Sequence, residues 1–226
     1  QNTFLRQRPG GDPNRLIPLV EAMGMPSVPF LRELLDDSDY RVRRGAALAL
    51  ERLTGEPVVA ALVAAPDPER EIDWDALARL GGAPRLEVET DRGTMVIRLL
   101  AEQAPLTVQS FVEEVEAGSH DGVSLHRVVP NFVVQGGDFG MGDGTGGPGY
   151  ALRTEITSLS FRRGVLGMAS NGKDTEGSQF FVTHSDQPHL DGSYTAFGWL
   201  ESGEEVLDRI QEGDWVVRMR VLPTEF

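Results

Sequence analysis

Apolar residues recur at two different periods along this chain, and the change falls near residue 81. In the first part, Phe30, Leu31, Leu34 and Leu35 recur at spacings of three and four, which predicts one apolar helical face within Leu16–Gly55. Asp36-Asp37-Ser38-Asp39 interrupts it and offers N-cap oxygens to a second helix, which runs through Val42, Ala46, Ala49, Leu50 and Leu53. Gly55 is placed as its stop. Pro57–Ala65 predicts a further short helix. So does Asp67–Leu80, with Pro68 near its start and Ile72, Trp74, Leu77 and Leu80 packing. Gln1–Asn14 is polar, contains Pro and Gly, and is expected to be loosely held. Gly81-Gly82-Ala83-Pro84 breaks the pattern, so the chain divides into a helical segment 1–80, a linker 81–84 and a second domain 85–226.

The second domain alternates with period two. Leu86, Val88 and Thr90 face one way and Arg85, Glu87 and Glu89 the other; Asp91-Arg92-Gly93 turns, and Met95–Leu100 returns as a hairpin partner. Pro105 opens a helix with Leu106, Phe111, Val112 and Val115 inward, and Gly118 ends it. Ser124–Phe139 reads SLHRVVPNFVVQGGDF, two short strands around Pro130-Asn131. A glycine-rich loop, Gly140–Gly149, follows. Gly164–Ala169, Gln179–Thr183, Thr195–Trp199 and Trp215–Leu222 predict strands, and Glu204–Ile210 a short helix. Seven or eight strands with two helices over about 140 residues predict a mainly β fold. The expected form is an eight-stranded antiparallel closed barrel with two capping helices, preceded by a small all-α segment.

Composition narrows the function. The net charge is -14, and the second domain carries most of it, with 11 basic against 22 acidic residues. Such a surface repels nucleic acid and anionic membrane, so neither is an expected partner. There is no cysteine, which removes disulfides, thiolate metal sites and a cysteine nucleophile. No apolar run approaches the roughly 18 residues of a membrane span, and no signal peptide is read. The chain starts at Gln1 rather than Met, so an upstream piece is expected to have been removed; the compartment stays open between cytoplasm and, for a trimmed exported precursor, periplasm.

Arg127 is the first candidate for chemistry. An arginine among strand residues either points outward or sits in a pocket with a partner. His126 could be a general base, but no acidic neighbour orients it, and a structural role is favoured. His184 and His189 lack further spaced ligands, so no metal is expected. Gly142, Gly144 and Gly147 satisfy G-x-G-x-x-G, yet Pro148-Gly149 follows where a nucleotide loop should open a helix. A turn lining a cleft suits them better. In the Phe180-Phe181 pair, alternation sends Phe180 to the interior and Phe181 to the cleft.

Three ordered stretches, LHRVVPNFVVQGGDFGMGDGTGG, GMASNGKDTEGSQFFVTH and HLDGSYTAFGWL, resemble the cyclophilin family of peptidyl-prolyl cis-trans isomerases, and the likeness spans Arg85–Pro223. The resemblance implies an eight-stranded barrel needing no cofactor, with proline-containing peptides or unfolded segments as partners. It implies Arg127 as the catalytic arginine with Gln135 beside it, and Phe132, Phe181 and Leu190 as the wall receiving the proline ring. Ala169 and Ser170 then form the edge that binds substrate backbone, Gln179 precedes the Phe pair, and Gly144 lies in the loop lining the cleft. Val133, Ser170, His189 and Tyr194 depart from common family residues. Without an indole at His189, cyclosporin binding is expected to be weak at best. Tyr194 and that missing indole favour a bacterial member, and the stretch between Gly149 and Gly164 looks short. Earlier, DYRVRRGAALALERLTG resembles one helix of a HEAT repeat, and an ordinary helix pair would read much the same. If it is a repeat, it implies further repeats upstream and a protein partner for the helical segment.

The residues suit the implied reaction. Rotation about an X-Pro bond meets an amide-resonance barrier of about 18–20 kcal/mol and needs no proton, electron or nucleophile. A guanidinium that donates a hydrogen bond to the twisted prolyl nitrogen lowers it. Two function classes follow from these residues: an isomerase, or a module that holds proline peptides with incidental turnover. A third, a helical adaptor carrying the barrel, rests on the HEAT-like string alone.

Overall fold

The computed structural model of the chain describes residues 20, 22–36, 40–55, 70–139, 142, 144 and 146–223. The expected helix over 57–65, the segment 1–14, the break at 37–39 and most of the opening around Pro68 lie outside the described residues. The chain forms two compact units, Gln1–Ala64 and Ala65–Phe226.

In the first unit, α1 (Val28–Glu33) and α2 (Tyr40–Thr54) are joined through a 3-10 turn, Leu34–Asp36. Their shared core is Leu31, Leu34, Ala46, Ala49 and Leu50. The two alanines are fully buried, and their small side chains permit a close helix approach. Gly55 adopts φ 72° and returns its N–H to Glu51 O at 2.8 Å, closing α2 as its position predicts.

The second unit begins before the expected linker. Helix α3 (Trp74–Leu80) starts at an Asp73 cap, whose carboxylate accepts from Ala76 N at 2.8 Å, rather than running from Asp67. Leu77 joins the barrel core with Ile72 and Leu80 against it, and Asp73 N donates to Gln109 Oε1 (2.8 Å). These contacts put residues 70–80 with the barrel, within the compact unit Ala65–Phe226. Trp74, expected to pack, is 64% exposed at the first helical position.

Eight strands follow: β1 (Arg85–Thr90), β2 (Gly93–Leu99), β3 (Arg127–Val129), β4 (Val133–Gly136), β5 (Val165–Met168), β6 (Phe180–Thr183), β7 (Ala196–Ser202) and β8 (Val216–Leu222). All pairings are antiparallel, in the order β3-β4-β6-β5-β7-β2-β1-β8. The sheet curls until its ends meet. Ser124, ahead of β3, bridges Trp215, ahead of β8, and Leu125 N donates to Asp214 O at 2.6 Å. Asp214 is itself held by Arg92 through two bonds of 2.6 and 2.7 Å, a fork-to-carboxylate pairing that pins the seam.

Helix α4 (Pro105–Glu116) sends Val108, Phe111, Val112 and Val115 into the barrel core. Its Ncap, Ala104, has no side chain to offer. Glu155 supplies the missing acceptor, taking Leu106 N at 3.2 Å and Thr107 N at 2.8 Å. The second cap, α5 (Glu204–Leu207), is shorter than expected, although Val206, Leu207 and Ile210 are all buried.

Candidate active site

Strand register assembles the site. Across β3, β4, β6 and β5, Arg127 pairs with Gln135, Gln135 with Phe181, and Phe181 with Gly167. Paired residues share a face, so these four stand in one row on the outer surface of the barrel. The alternate residues turn inward: Val134, Phe180, Val182, Leu166 and Met168 belong to the barrel core. Phe180 thus faces the interior and Phe181 the outer cleft, as alternation predicts.

Around Phe181 a second apolar cluster forms from Val133, Phe161, Val165, Leu190 and Ala196, with Phe132, Ala169 and Tyr194 half-buried beside it. The Tyr194 ring meets Phe181 edge-on at 5.9 Å. His189 lies nearly parallel to Phe132 at 5.8 Å, so the position without an indole still carries a flat ring against the wall.

Arg127 is exposed at the rim, with its guanidinium carbon 5.5 Å from the Phe132 ring centre. Nη1 donates to Gln135 Oε1 (3.1 Å), Gln135 Nε2 donates to Gln179 Oε1 (3.0 Å), and Gln179 Nε2 donates to the carbonyls of Gly144 (2.9 Å) and Gly146 (2.8 Å). Each amide spends its acceptor toward the arginine and its donor toward the loop, which fixes both orientations. Asp138 takes Gly144 N at 2.8 Å from the other side. Gly144 and Gly146 therefore aim their carbonyls at Gln179, unlike a phosphate cradle.

All twelve expected residues lie along this one face or its rim, including Ala169 and Ser170, which continue from β5 and are half-buried; Ala169 N bonds Gln179 O at 2.9 Å. The histidines do not converge. His126 lies inside, its ring nitrogens without hydrogen-bond partners among the described residues, and a Cβ on Gly144 would stand 3.5 Å from Nε2. His184 Nε2 donates to Leu207 O at 3.2 Å. Among the described residues no group of three metal-ligating side chains occurs.

Phe161 and Gly167 escaped sequence reasoning. Phe161 lies against Phe181 at 5.4 Å, and a Cβ at Gly167 would fall 2.5 Å from Phe181 and 2.6 Å from Phe161. The signal was an isolated glycine inside an apolar strand, which marks a close approach. Gly167→Ala is expected to destabilise the fold by about 1–3 kcal/mol through overpacking, and to weaken peptide binding because the Phe181 ring must move. Urea unfolding with calorimetric binding checks this; unchanged values for both would mean that the rings yield freely.

Glu176 was also missed. It is fully buried, accepting from Thr195 Oγ1 (2.9 Å) and Thr195 N (3.3 Å). Thr195 Oγ1 accepts in turn from Glu155 N at 2.8 Å. Burial pushes the Glu176 carboxyl up to about 7; the Thr195 bonds oppose this, and Glu155 and Asp174 add to it. Under α4, Glu114 accepts from Tyr150 OH (2.7 Å) and faces His120 Nε2 at 3.3 Å. Burial, then the Glu114 charge, raises the Tyr150 phenol well above its ordinary value.

Comparison with known proteins agrees with this geometry. Residues 85–224 match the family described as cyclophilin type peptidyl-prolyl cis-trans isomerase, and residues 16–81 match HEAT repeats. A peptidyl-prolyl cis-trans isomerase of Synechococcus elongatus is 42% identical over 137 residues, 60% of this chain and 94% of that protein. Peptidyl-prolyl cis-trans isomerase B of Bacillus subtilis is 44% identical over 133 residues, 58% of this chain and 92% of that one. The crystal structure of a cyclophilin type isomerase from Cryptosporidium parvum superposes with a TM-score of 0.59 at 29% identity, covering 63% of this chain and 99% of its own. The matched stretch runs the length of the curled sheet and takes in Arg127, Gln135 and the rings beside them: the chain belongs to the cyclophilin-type peptidyl-prolyl cis-trans isomerase family.

Proposed function

We infer that the chain isomerises X-Pro bonds in flexible protein segments, with Arg127 as the donor to the prolyl nitrogen. The observation that carries this reading is the guanidinium held by Gln135 beside Phe132, at the edge of the slot around Phe181. In the planar amide the nitrogen lone pair is delocalised and accepts poorly. As the bond twists, the pair localises, and a donor already in place binds the twisted form better than the planar one, the condition for raising a rate. Arg suits this because its fork of donors is rigid. Phe132, Val133, Phe181, Leu190 and Tyr194 hold the proline ring and keep water from the nitrogen, and His189 extends that wall over Phe132. Ala169 and Ser170 supply the edge along which the client backbone lies. Gln179 and Gly144 act through Gln135 as the anchor that keeps the arginine aimed.

The test is turnover of a proline tetrapeptide by the intact chain, followed by coupled proteolysis or exchange NMR. Acceleration well above the uncatalysed relaxation of about 10–100 s is expected; none at stoichiometric protein would reduce the barrel to a peptide holder. The acidic second domain sets a further expectation. Peptides with a distant Lys should turn over faster than neutral ones at low salt, and the difference should fade by about 0.5 M, where charges are screened within a few ångströms.

A further inference from the structure

A second cavity, of about 480 Å³, adjoins the proline slot. The two share walls: Tyr194, whose ring touches Phe181, and Ser170, next to the backbone edge. Thr154, Ser170 and Ser193 contribute three hydroxyls, Ile156 an exposed apolar surface, and Lys173 an ammonium. Gly172 and Gly192 also line it, both at positive φ, where a side chain would strain the backbone. Lys173 is the only lysine of the chain, against 20 arginines. Its side chain is 84% exposed, and its one ion pair among the described residues is a long one, 3.9 Å to an Asp174 oxygen. The other oxygen of Asp174 is engaged by Thr154 N at 3.0 Å.

We propose that this cavity is a second client subsite, which takes the carboxylate side chain of a residue near the proline and makes Lys173 a specificity-determining residue. The proposal rests on the isomerase reading for the direction of the bound chain, but not for its chemistry. A Glu or Asp side chain would lay its methylenes against Ile156 and Tyr194 and reach the ammonium and hydroxyls with its oxygens. The surrounding charge makes the inference sharp. The second domain has twice as many acidic as basic residues, so its long-range field disfavours anionic peptides at every position. Only a local cation in a defined place can produce a preference for Glu at one position.

The experiment uses the intact chain and proline peptides carrying Glu, Gln or Lys in turn at each of the two residues before and after the X-Pro pair. Dissociation constants come from calorimetry and kcat/KM from turnover. Glu should exceed Gln by about two- to five-fold at a single position, through KM rather than kcat, the range of an exposed ion pair. Lys173→Met should remove that preference and Lys173→Glu reverse it, with an all-alanine proline peptide unaffected in either variant. Equal Glu and Gln affinities everywhere, or a Glu preference that survives Lys173→Met, overturn the subsite. If no peptide turns over, the isomerase reading fails, while the dissociation constants still decide the subsite.

Discussion

Arg127→Ala is expected to lower kcat/KM for a proline tetrapeptide by about two to three orders of magnitude, the cost of deleting one preorganised donor to a transition-state charge. Peptide affinity should change by no more than about threefold, because the planar ground state offers the guanidinium little to bind. The two effects separate because the slot is built without the arginine: Val133, Phe161, Phe181 and Leu190 pack on one another and are buried. Arg127 itself is exposed, bonded to Gln135 and set beside the Phe132 ring, so the fold should tolerate its loss. Arg127→Lys should recover only part of the rate, since a point charge on a flexible stem is not held by one amide oxygen as a planar fork is. Gln135→Leu, which frees the arginine without removing it, should fall between parent and alanine variant. Should Arg127→Ala weaken binding and turnover equally, the arginine serves only to hold the peptide.

Glu176→Gln is expected to abolish a fall in stability of about 3 kcal/mol between pH 4.5 and pH 8. The folded carboxyl sits at about 7 against an ordinary value of 4.5, a gap of about 2.5 pH units at 1.36 kcal/mol each. Below 4.5 both folded and unfolded chains hold the proton, and the group is neutral to stability. Between 4.5 and 7 the unfolded chain gives it up first, so rising pH favours unfolding. Above 7 the folded chain carries a buried charge with Thr195 as its hydrogen-bond donor. The glutamine variant has no proton to lose, so its urea midpoint should stay above that of the parent at pH 8 and converge at pH 4.5. Asp214 has the opposite sign: its bond to Arg92 holds its carboxyl below the usual range, and its contribution is lost only as pH falls through that lower value. The difference between parent and Glu176→Gln cancels it. Parallel pH profiles for the two proteins would remove Glu176 as the source.

The row of site residues was legible because period two and turn chemistry are local. Alternation alone sent Phe180 inward and Phe181 outward, and Pro130-Asn131 set the β3–β4 pairing, with Asn131 at φ 58°. The supports were not legible, since they arise from contacts distant in sequence. Glu155 caps a helix nearly fifty residues earlier, and nothing near Glu176 in the chain reveals that it is buried. Likewise, Asp67–Leu80 has a helical pattern that cannot say which unit it packs on; Leu77 and the Asp73–Gln109 bond decide it.

One property of the β4–β6 ladder reaches into how the protein matures. Because Gln135 and Phe181 are paired partners, a slip of one residue would swing Phe181 inside and Phe180 out, detaching the arginine from its amide relay. No partly zipped barrel can then possess the slot. Recovery of turnover during refolding should lag behind hydrophobic collapse and coincide with the last non-local pairing to lock, which makes enzymatic signal a clock for strand alignment.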